Sequence, residues 1–327
     1  MTFIPLHAPP SREALQLVVT LGPASLHLAG ALARAGATAF RLNASHMDAG
    51  ELADALARVR RDCPDAPVVV DLQGAKMRIE LPAPLDVAEG QRVRLDISGG
   101  EDITVPHAEF FAQASAGDTL SLDDGRVRLV LERVQPDHAE ARALNAGRLI
   151  SRKGINVEQH PVQLAGLTRR DAEACQAAAG VRPIAMAYSF MIDGREAAWL
   201  KHSAPGCLVV GKIERREATR HIAEIARSVD AIWICRGDLG AQLGMAALAR
   251  FVADVSPAEC AVPVLMAGQV LEHLTGHPDP TRSEVCHLYD LVARGFAGIV
   301  LSDETAIGRD PVHAAGLACR LLASFRA

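Results

Sequence analysis

Short apolar runs, each followed by a helix-patterned stretch, recur eight times along this chain, and few folds absorb eight strand–helix units. Strands are expected at Leu15–Thr20, Thr38–Leu42 and Val68–Asp71, and again at Pro183–Ala187, Leu208–Ile213, Asp230–Cys235, Pro263–Met266 and Gly298–Leu301. Ser25 is expected to cap a helix ending near Gly36, and Asp48 one running to about Arg61. Later helices are expected at Thr168–Ala179, Arg195–His202, Arg215–Arg227, Met245–Val255, Ser283–Arg294 and Pro311–Ser324. Eight such units favour a closed (β/α)8, or TIM, barrel over an open doubly wound sheet, although periodicity alone does not prove closure. About half of the 327 residues are hydrophobic and few are aromatic, so Ala, Leu and Val must carry the packing.

The alternation is interrupted once. From about Leu81 to Leu149 the period becomes two, as in Arg92-Val93-Arg94-Leu95-Asp96-Ile97 and Arg126-Val127-Arg128-Leu129-Val130-Leu131. Ser98-Gly99-Gly100 and Asp123-Asp124-Gly125 supply turns. The barrel is therefore expected from residues 1–78 and 150–327, with a small antiparallel β-barrel domain, residues 79–149, inserted as a lid.

Charge and composition narrow the function. A net charge of −5 with no long basic run argues against a nucleic-acid surface. Met1–Pro10 lacks the charged and apolar regions of a signal peptide, and no uninterrupted apolar stretch is long enough to cross a membrane. Seven cysteines without a CxxC read as reduced thiols of a cytoplasmic protein. Gly206 and Gly211-Lys212 have phosphate-loop spacing, but Ile213 stands where Ser or Thr belongs and the intervening Cys-Leu-Val-Val reads as a strand. His273 and His277 have metal-ligand spacing, yet Gly276 and Pro278 break the helix they would need.

Polar residues collect where the strands end, the side on which barrels carry their chemistry. The second strand ends in Arg41-Leu42-Asn43-Ala44-Ser45-His46, and the third in Asp71, with Lys76 and Arg78 soon after. The fifth carries Lys212 and Glu214, the sixth ends in Arg236-Gly237-Asp238, and the eighth in Ser302-Asp303-Glu304-Thr305. Taken singly, such a carboxylate is usually a helix cap, Lys212 with Glu214 an ordinary ion pair, and Arg236-Gly237-Asp238 a bare turn. Taken together, Glu214 and Asp238 offer oxygen ligands to a hard divalent cation. Arg41 and Arg78 offer forked donors to phosphoryl oxygens. The set points to metal-assisted chemistry on a small phosphorylated or carboxylated acid.

At these residues the sequence resembles the pyruvate kinase family over nearly its whole length. The resemblance runs through Val19-Thr20-Leu21-Gly22-Pro23-Ala24-Ser25, Arg41-Leu42-Asn43-Ala44-Ser45-His46 and Ser151-Arg152-Lys153-Gly154-Ile155-Asn156. It continues through Gly211-Lys212-Ile213-Glu214, Arg236-Gly237-Asp238-Leu239-Gly240, Pro280-Thr281-Arg282-Ser283-Glu284 and Leu301-Ser302-Asp303-Glu304-Thr305-Ala306. It implies phosphoryl transfer from phosphoenolpyruvate to ADP, giving pyruvate and ATP. Glu214 and Asp238 would hold Mg²⁺ (or Mn²⁺), Lys212 would stabilise the transferring phosphoryl group and the enolate, and Arg41 would contact phosphate. The amides around Gly237 and Asp238, at a helix start, would receive the substrate carboxylate. ADP would lie between the barrel mouth and the insertion, near Pro23, Asn43, His46, Arg78, Arg152 and Lys153. Asn43, Ser45, Asp71 and Leu72 resemble a monovalent-cation site. In the segment Asp71-Leu72-Gln73-Gly74-Ala75-Lys76-Met77-Arg78, Lys76 replaces the Glu of K⁺-requiring members, so K⁺ is expected to be dispensable. Association of barrel surfaces into a homodimer is implied as well.

The chain departs from the pattern in several places. The resemblance ends with the eighth barrel helix, so the family's C-terminal regulatory domain, and sugar-phosphate control through it, are expected to be absent. Gly268, in Ala267-Gly268-Gln269-Val270-Leu271-Glu272, replaces an active-site threonine linked to substrate contact and to protonation of the enolate. Ile192 stands where an arginine is usual, and Asp303 where a small residue is. These changes leave open a divergent Mg²⁺–enolate enzyme, phosphotransferase or carbon–carbon lyase, acting on another small carboxylic acid. They also leave open a catalytically weak nucleotide- or carboxylate-binding regulator.

Overall fold

The computed structural model describes residues 15–99, 102–123, 125–160 and 162–325. Its strands, numbered along the chain, begin with β1 (Gln16–Leu21), β2 (Ala39–Asn43) and β3 (Val68–Leu72). There follow β4 (Leu85–Val87), β5 (Arg92–Asp96), β6 (Ile103–Thr104), β7 (Thr119–Leu122), β8 (Val127–Val134), β9 (His138–Ala143), β10 (Gly147–Leu149) and β11 (Ile155–Val157). The series ends with β12 (Ile184–Tyr188), β13 (Leu208–Ile213), β14 (Ala231–Cys235), β15 (Val264–Ala267) and β16 (Gly298–Leu301). The chain divides into two compact units, one running up to Gly74 and resuming at Gly166, the other spanning Ala75–Ala165.

In the first unit eight parallel strands close in the order β1-β16-β15-β14-β13-β12-β3-β2. Most strand residues are buried on both faces, which is why each strand reads in the sequence as an apolar run rather than an alternation. One face fills the barrel interior with small and branched side chains, among them Val18, Ala39, Val69, Ala187, Val210 and Val300, with Trp233 the one large ring. The other face packs on the helices through a second, larger cluster that includes Leu17, Phe40, Val68, Met186 and Ile234. Asp48 caps helix Ala49–Asp62 in a reciprocal capping box with Glu51, as its position suggested.

Two helix starts differ from expectation. The Ser25 hydroxyl accepts from the Gly22 amide at 3.1 Å instead of capping, and a 3-10 turn, Leu26–Leu28, precedes helix Ala29–Arg34. The helix expected from Arg215 begins only at Ile222, because the buried Arg215 guanidinium turns back to Glu217 and to the Phe190 carbonyl. Leu208–Ile213 is a strand, so no phosphate loop forms there. His273 and His277 stack face to face, ring centroids 3.8 Å apart, with His273 Nδ1 on the Asp279 carbonyl oxygen. No group of three or more metal-ligating side chains occurs among the described residues, nor any helix long and apolar enough to cross a membrane. All seven cysteines are free.

The second unit has its own core, built on Ile79, Val93, Leu95, Phe110, Leu129 and Leu131 among others. Its six-stranded sheet has the order β11-β7-β8-β9-β5-β6, and β10 pairs with β4 separately. Every pairing is antiparallel except β5 with β6. The segment Met77–Glu80 reaches both edges of the large sheet: Glu80 exchanges bonds with Thr104 beside β5, and Ile79 N donates to Lys153 O next to β11. That segment curls the sheet around its core. The unit extends beyond residues 79–149 because Ile155–Val157 pairs with Leu120–Leu122 rather than with a barrel strand. The hairpin turn after Leu122 is present, with Asp124 outside the described residues, as are Gly100 and Met1–Pro10.

Candidate active site

The carboxyl ends of β2, β3, β12 and β13 are neighbours in the barrel, and an ion network joins them. The side chains of Asp71, Lys212 and Glu214 are 2%, 8% and 3% exposed, so their charges must satisfy one another. Lys212 Nζ lies 3.0 and 3.1 Å from the two Asp71 oxygens, 2.8 Å from Ser189 Oγ and 2.9 Å from Glu214 Oε1. Arg41 Nε and Nη2 reach Asp71 Oδ2 at 2.7 and 2.6 Å, and Nη1 donates to Thr20 Oγ1 at 2.9 Å. The Phe190 amide donates to Glu214 Oε2 at 2.9 Å.

Electrostatics follow from this packing. Burial alone would raise the Asp71 carboxyl, but Lys212 and Arg41 outweigh it and hold the group below the usual carboxylate range. Burial would lower the Lys212 ammonium, yet Asp71 and then Glu214 raise it above the ordinary lysine value. Lys212 is therefore a fixed cation and not a proton donor near neutral pH. Cys235, at the end of β14, is pushed well up, chiefly by burial and then by Glu214, so its thiol stays protonated.

The loop after β3 is held by close backbone contact. Gly74 has φ +59°, and a side chain there would fall 2.0 Å from the Ser189 carbonyl oxygen. Gly74→Ala is expected to lower stability by about 3 kcal/mol, from left-handed strain plus overpacking, in thermal denaturation. A loss below 1 kcal/mol would mean that the loop shifts freely.

Of the expected metal pair, Glu214 follows β13 and Asp238 lies in the first turn of helix Arg236–Leu243 after β14. These strands are paired through Ile213 and Ile234. Both groups are hard oxygen donors, and among the described residues each Glu214 oxygen has one hydrogen-bonding or ion-pair partner, which leaves it acceptor capacity for a cation. Gly237, in the same turn, is exposed. Gly268 (φ +78°) and Gln269 (φ +54°) are both left-handed, and Arg236 donates to both their carbonyls. A β-carbon on Gly268 would sit 3.5 Å from the Gly237 amide nitrogen, in ordinary van der Waals contact, so the glycine leaves that amide uncovered by a side chain from this position.

The remaining expected residues divide between the units. Pro23 and His46 are exposed in the barrel unit, where Asn43 Oδ1 accepts from the Ser45 amide at 3.2 Å. Asn43 stands in register with Asp71, and Leu72 O accepts from Ser189 Oγ at 2.7 Å. Lys76, Arg78, Arg152 and Lys153 belong to the second unit. There Arg78 Nη1 donates to Arg152 O at 2.6 Å, and Lys153 pairs with the buried Asp123 at 2.7 Å. Sequence reasoning assigned no role to Thr20, Ser189 or Asp171. Ser189 follows a strand expected to end at Ala187, and a lone serine after a strand carries no signal of its own.

The sequence model of the family described as "Pyruvate kinase, barrel domain" matches residues 12–315. The chain is 33% identical to a pyruvate kinase of Agrobacterium vitis, the alignment covering 94% of this chain and 67% of that protein. It is 31% identical to one of Methylorubrum extorquens over 94% and 67%, and 30% identical to one of Thermococcus litoralis over 94% and 68%. The chain thus spans about two thirds of the length of these relatives.

Proposed function

The chain belongs to the pyruvate kinase family, and we propose that it transfers the phosphoryl group of phosphoenolpyruvate to ADP. In that reaction the enol P–O bond breaks, a bond forms between phosphorus and a terminal oxygen of ADP, and the enolate takes up a proton to give pyruvate. The observation that carries the reading is the Arg41–Asp71–Lys212–Glu214 network at the strand ends.

Lys212, fixed as a cation by two carboxylates and a hydroxyl, stabilises charge on the transferring group without reorganising. Arg41, oriented by Asp71 and Thr20, presents its guanidinium to phosphoryl oxygens. The amides at Gly237 and Asp238 receive the substrate carboxylate at a helix start. Glu214 and Asp238 would hold Mg²⁺ or Mn²⁺, which when bound supplies further positive charge to substrate oxygens. Pro23, Asn43 and His46 are the proposed nucleotide contacts of the barrel unit.

Both Asp71 oxygens already face cationic donors, which supports activity without K⁺. Turnover is expected to agree within about twofold in Na⁺, K⁺ or a bulky organic cation, a spread no larger than a net hydrogen bond. A strict K⁺ requirement in a pyruvate-release assay would remove this part of the reading.

Gly268 favours a second reading, in which another small enol acid takes the place beside Gly237 that a side chain at position 268 would fill. The deciding experiment is production of pyruvate and ATP from phosphoenolpyruvate, ADP and Mg²⁺. Turnover supports the phosphotransferase. Its absence, with Mg²⁺-dependent binding of small carboxylates intact, supports the second reading.

A further inference from the structure

Two adjacent side chains at the head of helix Arg169–Ala177 tie down the loops that follow two neighbouring barrel strands. Arg170 Nη2 lies 3.4, 3.1 and 3.0 Å from the carbonyl oxygens of Ala44, Ser45 and Met47. One guanidinium NH₂ thus holds the whole turn after β2. Asp171 is buried, and its carboxylate oxygens accept from the Gln73 amide at 2.9 Å and the Gly74 amide at 3.1 Å, in the loop after β3. The Thr168 hydroxyl donates to Asp171 Oδ2 at 2.8 Å. The signs are matched, a cation on carbonyls and an anion on amides.

The Asp171 arm leads to the reacting end. Gly74 passes so near the Ser189 backbone that a β-carbon there would collide with it, and Ser189 Oγ donates to Leu72 O and accepts from Lys212 Nζ. One short loop and one hydroxyl separate Asp171 from the lysine. The Arg170 arm ends on the turn that carries Ser45 and His46 directly after Asn43. Burial pushes the Asp171 carboxyl up to about 6 despite the Thr168 hydroxyl and the two loop amides, so keeping the charge there opposes stability at neutral pH. A role in placing the loops accounts for a charge that stability alone disfavours.

We propose that Arg170 and Asp171 are positioning residues for the phosphoryl transfer, Asp171 fixing Lys212 through the loop after β3 and Arg170 fixing the nucleotide-side turn after β2. This rests on the roles proposed above for Lys212, Asn43 and His46.

The test combines steady-state kinetics on phosphoenolpyruvate and ADP with amide hydrogen exchange, for Asp171→Asn, Arg170→Met and Arg170→Lys. Asparagine has one acceptor oxygen and cannot serve both loop amides. Asp171→Asn is therefore expected to lower kcat about tenfold or more while both KM values stay within about twofold. Arg170→Met is expected to raise KM for ADP about fivefold with kcat little changed, and Arg170→Lys to recover most of it, since an ammonium also donates to carbonyls. Exchange should quicken at Gln73 and Gly74 in Asp171→Asn and at Met47 in Arg170→Met, with β13 and β14 as protected as in the parent.

Unchanged exchange in both loops overturns the proposal, and so do variants with parental kcat and KM. If the parent itself does not turn over phosphoenolpyruvate, the functional reading falls and the exchange result alone decides the brace. If Asp171→Asn does not fold, Thr168→Val, which keeps the carboxylate but removes its hydroxyl partner, takes its place with the same expected direction.

Discussion

Replacing Lys212 by methionine is expected to lower turnover about a thousandfold or more, because the lost charge acts on the transition state. It is also expected to destabilise the fold by about 3–5 kcal/mol, the usual cost of stripping one partner from a buried ion cluster. The two losses are separable. Rate is measured per folded molecule at a temperature where the variant is native, and stability by denaturation. Arginine should not rescue the rate. The site offers four oxygens within 3.1 Å of a single nitrogen, a geometry that suits a compact ammonium and crowds a planar guanidinium.

The pH dependence of the stability difference follows from signs. Asp71 is depressed, so its contribution is present above the ordinary carboxylate value of 3.8 and is lost as pH falls through its lower native value. Lys212 is raised, so its contribution is present below the ordinary lysine value of 10.5 and is lost only as pH rises through its higher native value. The gap between parent and variant should therefore be flat across neutral pH and close only in strong acid or strong base. A variant keeping more than about a tenth of the parental rate would show that Lys212 is a structural cation and not the catalytic one.

Why the barrel was legible while part of its site was not has a physical reason. Parallel strands buried on both faces are mostly apolar, so each appears as an apolar run that tolerates a charge only near its carboxyl end. All eight expected strands accordingly fall within two residues of the observed ones. Arg41, Asp71 and Lys212 lie in the last three residues of their strands and Glu214 directly after β13, which is how these charges stood out together. Ser25 and Arg215 were misleading because a cap or a helical residue is read from local pattern, whereas a hydroxyl turned to Gly22 and a guanidinium turned to Phe190 are tertiary choices. The helix start at Gly237 and Asp238 was expected from the resemblance alone, because two glycines give Arg236–Leu243 a low helix propensity that packing overrides. Asp171 looks like an ordinary first-turn acid, and only the fold brings Gln73 and Gly74 to it across some 97 residues.

The proposed metal pair should respond asymmetrically to neutral replacement. Glu214 serves two purposes: it is one of two carboxylates fixing Lys212, and it is a proposed cation ligand. Glu214→Gln is therefore expected to raise the Mg²⁺ concentration for half-maximal rate at least about tenfold, to lower kcat by about a hundredfold, and to cost about 2 kcal/mol of stability. Asp238 is only half-buried, in the first turn of a helix. Asp238→Asn should give a similar rise in Mg²⁺ requirement with a smaller loss of stability than Glu214→Gln, since the half-buried side chain is less removed from solvent and asparagine retains an oxygen near the helix start. The measurement is a Mg²⁺ titration of rate beside a thermal denaturation of each variant without metal. If both raise the Mg²⁺ requirement and Glu214→Gln loses the more stability, the two carboxylates share a cation that is not part of the resting network. If Asp238→Asn leaves the Mg²⁺ titration unchanged, Asp238 is not a ligand. The cation would then depend on Glu214 and substrate oxygens, and the exposed turn at Gly237 would be left to the substrate carboxylate alone.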